Sequence, residues 1–366
     1  MTQSKKNIAI IGSGLVGSLL AIYLKRYGHQ ITVFDRRPDI RNIEFSGRDI
    51  DLPEAKVYTG DTEKGEWTEY PFDLVFGCDG AFSRVRHKMQ RRSRFDYSQD
   101  FIDVGYKELT IPANNDGTHK LDKNSFHIWP RGKFMFIAMP NLDGSFTCTL
   151  FMPFEGVVSF ESIKTKKDAV DFFNTYFPNV KNEIENLTED FFKNPTSAMV
   201  TMKCYPWTYW DKVALVGDSA HAVVPFYGQG MNAGFEDIFV LDEIIQEFGD
   251  DWEKIFETYQ QRRKPNADAI AELSYRNFVE MSSKTADANF LLQKKIEKHF
   301  SANHPEKWVP AYSRVTFSER PYAEALAAGD AQESIMKQVM KIPNIAEKWD
   351  SAEVEEIMLN LVGVSN

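Results

Sequence analysis

The sequence predicts an α/β fold: a Rossmann-like domain on a parallel sheet, an inserted antiparallel-sheet domain and a helical C-terminal region. Three observations lead to this prediction. Near the N-terminus, residues 7–35 run from an apolar strand through a glycine-rich turn into a helix and a second strand. Residues 101–155 alternate apolar and polar positions between turns, which is typical of antiparallel strands. Residues 252–300 and 322–362 have helical periodicity.

The N-terminal segment reads as a complete β-α-β unit. The first strand is predicted over Ile8–Ile11, and the helix runs from Leu15 to about Tyr27 and ends near Gly28. The second strand covers Ile31–Phe34 and is followed directly by Asp35. A unit of this kind places both strands side by side and parallel.

Further strands and helices are predicted along the chain, with residues 36–72 otherwise irregular and polar. Strands are predicted at 56–58, 67–70, 73–77 and 212–216, and helices at 165–192 and 232–248. The Rossmann-like domain is therefore expected to be discontinuous, since the antiparallel segment interrupts it. We predict residues 1–94 and 205–265 for this domain, 95–204 for the antiparallel-sheet substrate domain, and 266–366 for the helical region.

Composition excludes several classes of function. The chain has 366 residues and a formal net charge of −10, which gives no reason to expect a nucleic-acid partner. Cys78, Cys148 and Cys204 are far apart and lack metal-ligand spacing, so a reducing, cytoplasmic environment is expected. The polar start of the sequence predicts no signal peptide, and no apolar run reaches the length of about 18 residues that a membrane span needs.

The turn Gly12-Ser13-Gly14-Leu15-Val16-Gly17 has the spacing of a dinucleotide-binding loop. Gly12 permits the tight turn, Gly14 lets the backbone approach a pyrophosphate, and Gly17 lets the helix pack closely. Asp35 then offers a carboxylate to the adenosine ribose. A glycine-rich turn without a ligand is the alternative, and the complete β-α-β context makes it the weaker one.

A second motif suits the other end of such a cofactor. Gly217-Asp218 follows an apolar strand, and the glycines of Gly228-Gln229-Gly230 come directly before a helix. That helix N-terminus would stabilise negative charge on a reduced flavin ring. Taken together, the two motifs predict bound FAD. Asp79-Gly80 can be a simple turn, and Asp218 can be a helix cap. His221 is interpreted as structural, and no catalytic side chain is assigned.

A basic cluster occupies one short stretch of the sequence. Its members are Arg84, Arg86, His87, Lys88, Arg91, Arg92 and Arg94. The favoured interpretation is a solvated helix face. The alternative is a docking site for the phosphates of a second, diffusible cofactor.

These motifs resemble those of the class A flavoprotein aromatic hydroxylases. The shared features are the glycine turn, Cys78-Asp79-Gly80 and Gly217-Asp218. Further strings are similar to the kynurenine 3-monooxygenase family in particular, and the resemblance extends over almost the whole chain. They are Phe95–Gln99, Gly105–Leu109, His127–Pro130, Ser145–Phe154, Pro225–Asp237 and Tyr312–Phe317.

The resemblance implies a role for individual residues. For FAD, it places Val16, Asp35 and Arg37 at the adenosine half, Ser83 or Arg84 near the flavin-binding loop, Asp218 at the ribityl chain, and Gly230, Met231 and Asn232 at the flavin ring. For the substrate, it places Asn277 and Tyr312 at the amino-acid end and Pro225, Phe226, Gln229 and Met281 around the aromatic ring. From the sequence alone, Asn277 can equally be a helix-surface amide, and Phe226, Met281 and Tyr312 ordinary core residues.

The same resemblance implies the activity. It predicts a monooxygenase that converts L-kynurenine to 3-hydroxykynurenine with NADPH and O2. The sequence has no second glycine-rich dinucleotide motif, which suits an NADPH that docks transiently.

The chain departs from the family after Gly47-Arg48. Several tens of residues that the family carries there are missing, including an arginine for the kynurenine carboxylate, a tyrosine, and an arginine that contacts FAD. We therefore expect exposed apolar surface on the neighbouring elements and weakened binding of substrate and FAD. A peroxide-leaking NADPH oxidase and an inactive FAD-binding remnant are the alternatives to a working hydroxylase.

Overall fold

A computed structural model describes residues 4–35, 47–61, 66–284 and 287–364. The strands are β1 (Asn7–Ile11), β2 (Gln30–Phe34), β3 (Gly47–Asp51), β4 (Lys56–Asp61), β5 (Glu66–Pro71), β6 (Leu74–Gly77), β7 (Asp96–Ile111), β8 (His127–Pro130), β9 (Met135–Pro140), β10 (Phe146–Pro153), β11 (Ser197–Tyr205), β12 (Thr208–Tyr209) and β13 (Val213–Leu215). The helices are α1 (Leu15–Arg26), α2 (Arg84–Met89), α3 (Lys166–Tyr176), α4 (Pro178–Lys181), α5 (Leu187–Lys193), α6 (Asp218–His221), α7 (Gly230–Phe248), α8 (Trp252–Val279), α9 (Ala288–Asn303), α10 (Ala311–Thr316), α11 (Tyr322–Val339), α12 (Ile345–Lys348) and α13 (Ala352–Val364).

The described chain forms two compact units. The first contains Met1–Asp100, Val200–Tyr275 and Ala311–Gly329, and the second contains Phe101–Met199, Arg276–Pro310 and Asp330–Asn366. The predicted three-domain division stays a prediction.

The first unit is built on a five-stranded sheet with the order β12-β13-β6-β1-β2. β1 runs parallel to both β2 and β6, and β13 runs parallel to β6. Only β12 is antiparallel, in a pairing with β13. The predicted α/β class is confirmed, and strands from residues 7 to 215 meet in one sheet.

The central strands of this sheet are apolar throughout because both faces are covered. Ile8, Ala9 and Ile10 in β1 have no exposed surface, and all four residues of β6 are buried. On one face, Phe76 meets the ring of Phe256 edge-on, with ring centroids 5.6 Å apart. This rigid core holds the carboxyl ends of the strands in place.

β2 forms an open edge of the sheet. Within the described residues its only strand partner is β1. Ile22 on α1 is 60% exposed and Val33 on β2 is 40% exposed. A shallow, mainly apolar groove runs between these two elements, and its lining residues are Ala21, Ile22, Lys25, Arg26, Ile31 and Val33. Exposed apolar surface at this edge is what the loss of a neighbouring helix and strand predicts.

A small antiparallel sheet follows β2 in the sequence, with the order β3-β4-β5. The strands predicted at 56–58 and 67–70 are present and are longer than expected, since they extend over β4 and β5. The described residues between 47 and 72 contain no helix.

The second unit contains most of the predicted antiparallel sheet, whose strand order is β11-β7-β10-β9-β8. Its inward face packs on α3 and α5 through a cluster of phenylalanines, in which Phe136 meets Phe173 with ring centroids 5.6 Å apart. A capping box fixes the start of α3: Thr165 accepts from the N–H of Asp168, and the Asp168 carboxylate accepts from the N–H of Thr165.

The C-terminal helices of the second unit form a separate core. Ile296 and Phe300 of α9 pack with Met336 of α11 and Met358 of α13. The predicted helical character of this region is therefore confirmed. No helix within the described ranges combines the length and the apolar composition that a membrane crossing requires.

Candidate active site

Three loops meet at the carboxyl edge of the parallel sheet. They follow β1, β6 and β13, and backbone hydrogen bonds join them in a row. The N–H of Cys78 donates to the carbonyl of Ile11 over 2.8 Å, and the N–H of Val216 donates to the carbonyl of Gly77 over 2.9 Å. Ligands of open α/β sheets bind at this edge. The fold therefore brings together the two predicted cofactor motifs and the Asp79-Gly80 turn.

Two glycines of the first loop are required by the protein itself. A Cβ on Gly12, whose φ is +107°, would lie 2.3 Å from the carbonyl oxygen of Cys78. A Cβ on Gly17 would lie 2.0 Å from the carbonyl oxygen of Gly12. Both distances are far below van der Waals contact, so the tight turn and the close packing of α1 admit only glycine.

Gly14 is different, because it faces open space. A Cβ on this residue would meet no protein atom within 4 Å. Gly14 is also the N-cap of α1 and supplies no side-chain cap to the helix. Because the first N–H groups of a helix lack intrahelical partners, this position can receive an anion such as a pyrophosphate.

Asp35 lies at the end of β2, directly beside the glycine turn. One carboxylate oxygen accepts from the N–H of Ser13 over 2.7 Å and from its hydroxyl over 2.8 Å. These bonds hold the carboxylate where a ribose on the same loop would need an acceptor. Arg37, the other residue predicted for the adenosine half, lies outside the described residues.

Val16 connects the two cofactor motifs. A Cβ on Gly217 would be 3.2 Å from a methyl group of Val16, and a Cβ on Gly234 would be 2.7 Å from the other. The side chain of Val16 thus fills the space between α1, the Gly217 turn and α7. This packing role is one that the sequence did not indicate, and the predicted contact of Val16 with adenosine stays a prediction.

The loop after β6 is tied to the start of α2. Ser83 donates its hydroxyl to Asp79 over 2.5 Å and accepts from the N–H of Arg86. The N–H of Arg84 donates to the second oxygen of Asp79 over 2.6 Å. Burial raises the pKa of Asp79, and the bonds from Ser83 and Arg84 oppose that shift. Ser83 is buried, whereas the side chain of Arg84 is exposed.

Arg86 was predicted only as one member of the basic cluster, without a role in the site. Its side chain is only 3% exposed, although it belongs to the basic cluster interpreted as a solvated face. The guanidinium donates to the carbonyls of Ser219 and Ala81, and it lies 5.2 Å from the centre of the Tyr97 ring. It thereby links the loops after β6 and β13. For this residue, the solvated interpretation was wrong.

Asp218 lies at the mouth of the third loop. Its side chain is exposed, yet the surrounding protein desolvates the carboxyl group and raises its pKa. His221 opposes this shift and Asp237 adds to it. A hydrogen-bond donor from a ligand would relieve the cost of the ionised carboxylate. The chemistry of this position therefore suits a polyhydroxylated chain.

A buried charge network holds the third loop. Asp237 accepts from the N–H of Gly217 over 2.9 Å and lies 2.6 Å from Nε2 of His221. Its other oxygen accepts from Nε of Arg263 over 2.7 Å. Burial alone would raise the pKa of Asp237, but the charges of His221 and Arg263 lower it to about 2. The partner of His221 is thus a fixed internal carboxylate, in agreement with its structural interpretation.

The start of α7 carries the remaining predicted flavin contacts. Gln229 is the N-cap and is buried, whereas Met231 and Asn232 in the first turn are exposed. The Gln229 amide oxygen accepts from Nδ2 of Asn232 and from the hydroxyl of Tyr322, both over 3.0 Å. The helix N-terminus and two exposed side chains thus face the side from which a ligand could approach.

Comparison with known proteins agrees with this geometry. Residues 41–274 match a family model described as FAD binding domain, and residues 10–68 match one described as NAD(P)-binding Rossmann-like domain. Kynurenine 3-monooxygenase from Christiangramia forsetii is 57% identical over 444 aligned positions, which cover 98% of this chain and 99% of the relative. The chain belongs to the kynurenine 3-monooxygenase family.

A second relative supports this membership, and a solved structure shares the fold. Kynurenine 3-monooxygenase from Flavobacterium johnsoniae is 54% identical, with 98% of this chain and 99% of that protein covered. Among solved structures, the tetrameric form of 2-methyl-3-hydroxypyridine-5-carboxylic acid oxygenase aligns with a TM-score of 0.61 at 17% identity, covering 88% of this chain and 96% of that chain. At this identity the structural similarity shows the fold alone.

The alignments also show that this chain is an internally shortened member of the family. The alignment with the C. forsetii protein needs 444 positions, whereas this chain has only 366 residues. Almost all of both sequences is aligned, so the difference lies inside the chain. The open edge of β2 is the place in the fold where a further strand would be added.

For a kynurenine 3-monooxygenase, the three loops fit FAD. Gly14 leaves room at a helix N-terminus for the pyrophosphate, and Asp218 offers an acceptor at the opposite loop. Both cofactor types, FAD and NADPH, follow from the two matched family models and the family membership.

The predicted substrate residues occur in both units. In the first unit, Pro225 is exposed and Phe226 is buried, and the ring of Tyr312 stacks on Tyr227 with centroids 5.5 Å apart. In the second unit, Nδ2 of Asn277 lies 3.5 Å from the sulfur of Met281. Met281 belongs to a π-helical turn, Glu280–Lys284. Their contact with substrate stays a prediction.

Proposed function

We propose that this chain hydroxylates L-kynurenine to 3-hydroxykynurenine, with NADPH as the reductant and O2 as the source of the new oxygen atom. The observation that carries this proposal is the meeting of the Gly12–Gly17 turn and the Gly217-Asp218 turn at one sheet edge, in a chain 57% identical to a kynurenine 3-monooxygenase. A binding module without redox chemistry would not need both ends of a flavin dinucleotide site.

Each loop has its own part in holding the cofactor. The α1 N-terminus at Gly14 would receive the pyrophosphate, and Asp35 would accept from the adenosine ribose. Asp218 would accept from the ribityl hydroxyls. The positive dipole end at the N-terminus of α7 would stabilise negative charge on a reduced flavin ring. FAD, when bound, supplies the hydride acceptance and the oxygen activation that side chains cannot provide.

The remaining predicted residues orient the substrate. We propose that Pro225, Phe226 and Gln229 line the aromatic ring of kynurenine. Tyr312 binds its amino-acid end, since a phenol can pair with a carboxylate or an ammonium group. These residues hold the ring and exclude water, and no protein nucleophile is required.

A second candidate function arises from the missing internal segment. If the shortened chain binds FAD and NADPH but holds kynurenine poorly, it would act as an NADPH oxidase that releases hydrogen peroxide. The open β2 edge, with Val33 40% exposed, marks where that segment would add a strand and is the reason for testing this candidate.

One experiment separates the two functions. The purified chain is incubated with L-kynurenine, NADPH and air, and the consumption of NADPH, the formation of 3-hydroxykynurenine and the formation of peroxide are measured together. Product formation in proportion to NADPH supports the hydroxylase. Peroxide without product supports the oxidase, and a colourless protein that consumes no NADPH contradicts both.

We also propose a cytoplasmic location. The three cysteines are all free and buried, and burial raises the pKa of the Cys148 thiol to about 12. Such thiols persist in a reducing compartment. Fractionation of cells that produce the chain, followed by detection of the protein in each fraction, tests this location.

A further inference from the structure

Tyr322 lies next to the proposed flavin site and is not among the predicted cofactor or substrate residues. Its ring is 7% exposed and packs in a small cluster with Ala233 of α7 and Ile270 of α8. Its hydroxyl donates to the amide oxygen of Gln229 over 3.0 Å. A buried phenol that donates to a neighbouring amide oxygen adds a hydrogen bond that restricts the movement of that amide.

The carbonyl of Tyr227 gives the amide of Gln229 a unique orientation. Nε2 of Gln229 lies 3.4 Å from that carbonyl oxygen, which can only accept a hydrogen bond. A reversed amide would place two acceptor oxygens against each other. The amide oxygen of Gln229 must therefore face Tyr322 and Asn232.

The orientation of the Gln229 amide determines the orientation of the Asn232 amide. The Gln229 oxygen is an acceptor, so Asn232 must present its NH2 group to it, and Nδ2 of Asn232 is 3.0 Å away. Because the two ends of an amide point in opposite directions, the Asn232 oxygen is turned away from Gln229. Asn232 is exposed in the first turn of α7, where the backbone offers N–H donors.

We propose that Tyr322 is a positioning residue that holds the amide of Gln229 in the orientation selected by the Tyr227 carbonyl and, through it, holds the amide of Asn232, so that the Asn232 oxygen is presented as an acceptor at the start of α7. The edge of a flavin pyrimidine ring has one N–H donor between two carbonyl acceptors. One acceptor oxygen among backbone donors complements that pattern. This inference rests on the proposed function, which puts the flavin at this helix.

The protonation state of Tyr322 is compatible with this role. Burial raises its pKa to about 12, and the nearby charge of Glu236 adds to this shift. The hydroxyl therefore stays protonated, and remains a donor, throughout the neutral and mildly alkaline range.

The test replaces Tyr322 with phenylalanine and measures FAD binding rather than turnover. Apoprotein is titrated with FAD, and the dissociation constant and the visible circular dichroism of the bound flavin are recorded. Tyr322→Phe should raise the dissociation constant about 3- to 10-fold, the range that corresponds to one hydrogen bond, and should change the dichroism. Tyr27→Phe is the matched control, because the Tyr27 hydroxyl also makes one strong bond, to Asp242 over 2.7 Å.

A double-mutant cycle identifies the route of the effect. If Tyr322 acts through Asn232, then Tyr322→Phe should have no further effect on FAD affinity or dichroism in an Asn232→Ala background. The circular dichroism in the far ultraviolet and the unfolding temperature establish that each variant is folded. If Tyr322→Phe is misfolded, the inference is tested by Gln229→Glu, which replaces the NH2 group facing Tyr227 with an oxygen and should give the same flavin signature.

The outcomes separate this inference from the proposed function. A parent chain that binds FAD but makes no 3-hydroxykynurenine overturns the function and leaves the FAD titration valid. Unchanged FAD affinity and dichroism in folded Tyr322→Phe overturn the positioning role alone. Additive effects of Tyr322→Phe and Asn232→Ala also overturn it, and a parent chain without any FAD affinity overturns both.

Discussion

The side chain of Val16 occupies the space that a side chain on Gly217 would need, since a Cβ on Gly217 would lie 3.2 Å from a Val16 methyl group. The two residues belong to motifs that are far apart in the sequence, one in the turn proposed for the pyrophosphate and one in the turn proposed for the ribityl chain. Their contact means that the two loops form one packed structure. A change that displaces α1 is therefore expected to disturb both ends of the FAD site.

Two alanine substitutions should distinguish Gly17, which the packing of the protein requires, from Gly14, which is proposed to leave room for a ligand. Gly17→Ala puts a methyl group 2.0 Å from the carbonyl oxygen of Gly12 and should lower the free energy of unfolding by about 3 kcal/mol. Gly14→Ala meets no protein atom within 4 Å, so its free energy of unfolding should change by less than about 1 kcal/mol. Urea unfolding of the apoproteins measures both values.

FAD titration completes that comparison. Gly14→Ala should weaken FAD binding at least about tenfold, because its methyl group stands where the pyrophosphate approaches. A Gly14→Ala protein with the stability and the FAD affinity of the parent would mean that the pyrophosphate binds elsewhere.

Asp218→Asn should weaken FAD binding and leave the apoprotein at least as stable as the parent. Burial raises the pKa of Asp218 above its ordinary value of 3.8, so its ionised form costs stability in the apoprotein. That cost grows as the pH rises above about 3.8 and is complete once the pH exceeds the raised pKa. The amide removes the cost, so the apoprotein should be at least as stable as the parent at pH 7. FAD affinity should fall about 10- to 100-fold, because a charge-assisted hydrogen bond is lost.

A matched control lies near the other end of β13. Asp211→Asn changes a carboxylate that lies before β13, at the opposite end from Asp218. It should leave FAD affinity unchanged. Equal losses in both variants would point to a general charge effect rather than to a contact of Asp218 with FAD.

Asp237→Asn should destabilise the protein in a pH-dependent way. Its pKa is lowered to about 2 from an ordinary value of 3.8, because the charges of His221 and Arg263 outweigh its burial. The unfolded chain therefore takes up this proton first as the pH falls. The stabilisation is complete above about pH 4 and is lost as the pH falls toward about 2.

At pH 7 the Asp237→Asn protein should be less stable by about 3 kcal/mol, since one partner of a buried ion pair is removed. The difference from the parent should shrink when urea unfolding is repeated at pH 3. A difference that stays constant from pH 7 to pH 3 would show that the Asp237 carboxylate does not carry this stability.

Restoring the internal segment should close the open edge of β2. A chimaera with the corresponding segment of the C. forsetii protein should bind less of a hydrophobic dye than the parent, since Ile22 and Val33 become covered. It should also release less peroxide per NADPH. A flexible Gly/Ser linker of the same length is the control. Equal dye binding by all three proteins would place the missing segment elsewhere in the fold.

Much of the fold could be predicted because periodicity and turn chemistry are local. Ile8–Ile11, the glycine turn and the following helix were found correctly, since each signal lies within a few residues. The predicted boundaries of β5 were too short because the strand extends by one residue at each end, to Glu66 and Pro71, and these residue types are depleted in strands.

The parts of the site that could not be predicted depend on contacts between distant residues. The sequence predicted Arg86 as part of a solvated helix face. The fold shows that its guanidinium donates a hydrogen bond to the carbonyl of Ser219. The role of Val16 as packing between two loops and the bond from Tyr322 to Gln229 are likewise tertiary features.

Isotopically labelled dioxygen tests the proposed hydroxylation of L-kynurenine most directly. The purified chain is incubated with L-kynurenine and NADPH under the labelled gas, and the product is analysed by mass spectrometry. A flavin hydroxylase predicts 3-hydroxykynurenine that contains one labelled oxygen atom, formed only when NADPH is present. NADPH consumption with labelled peroxide but no labelled 3-hydroxykynurenine would contradict the claim.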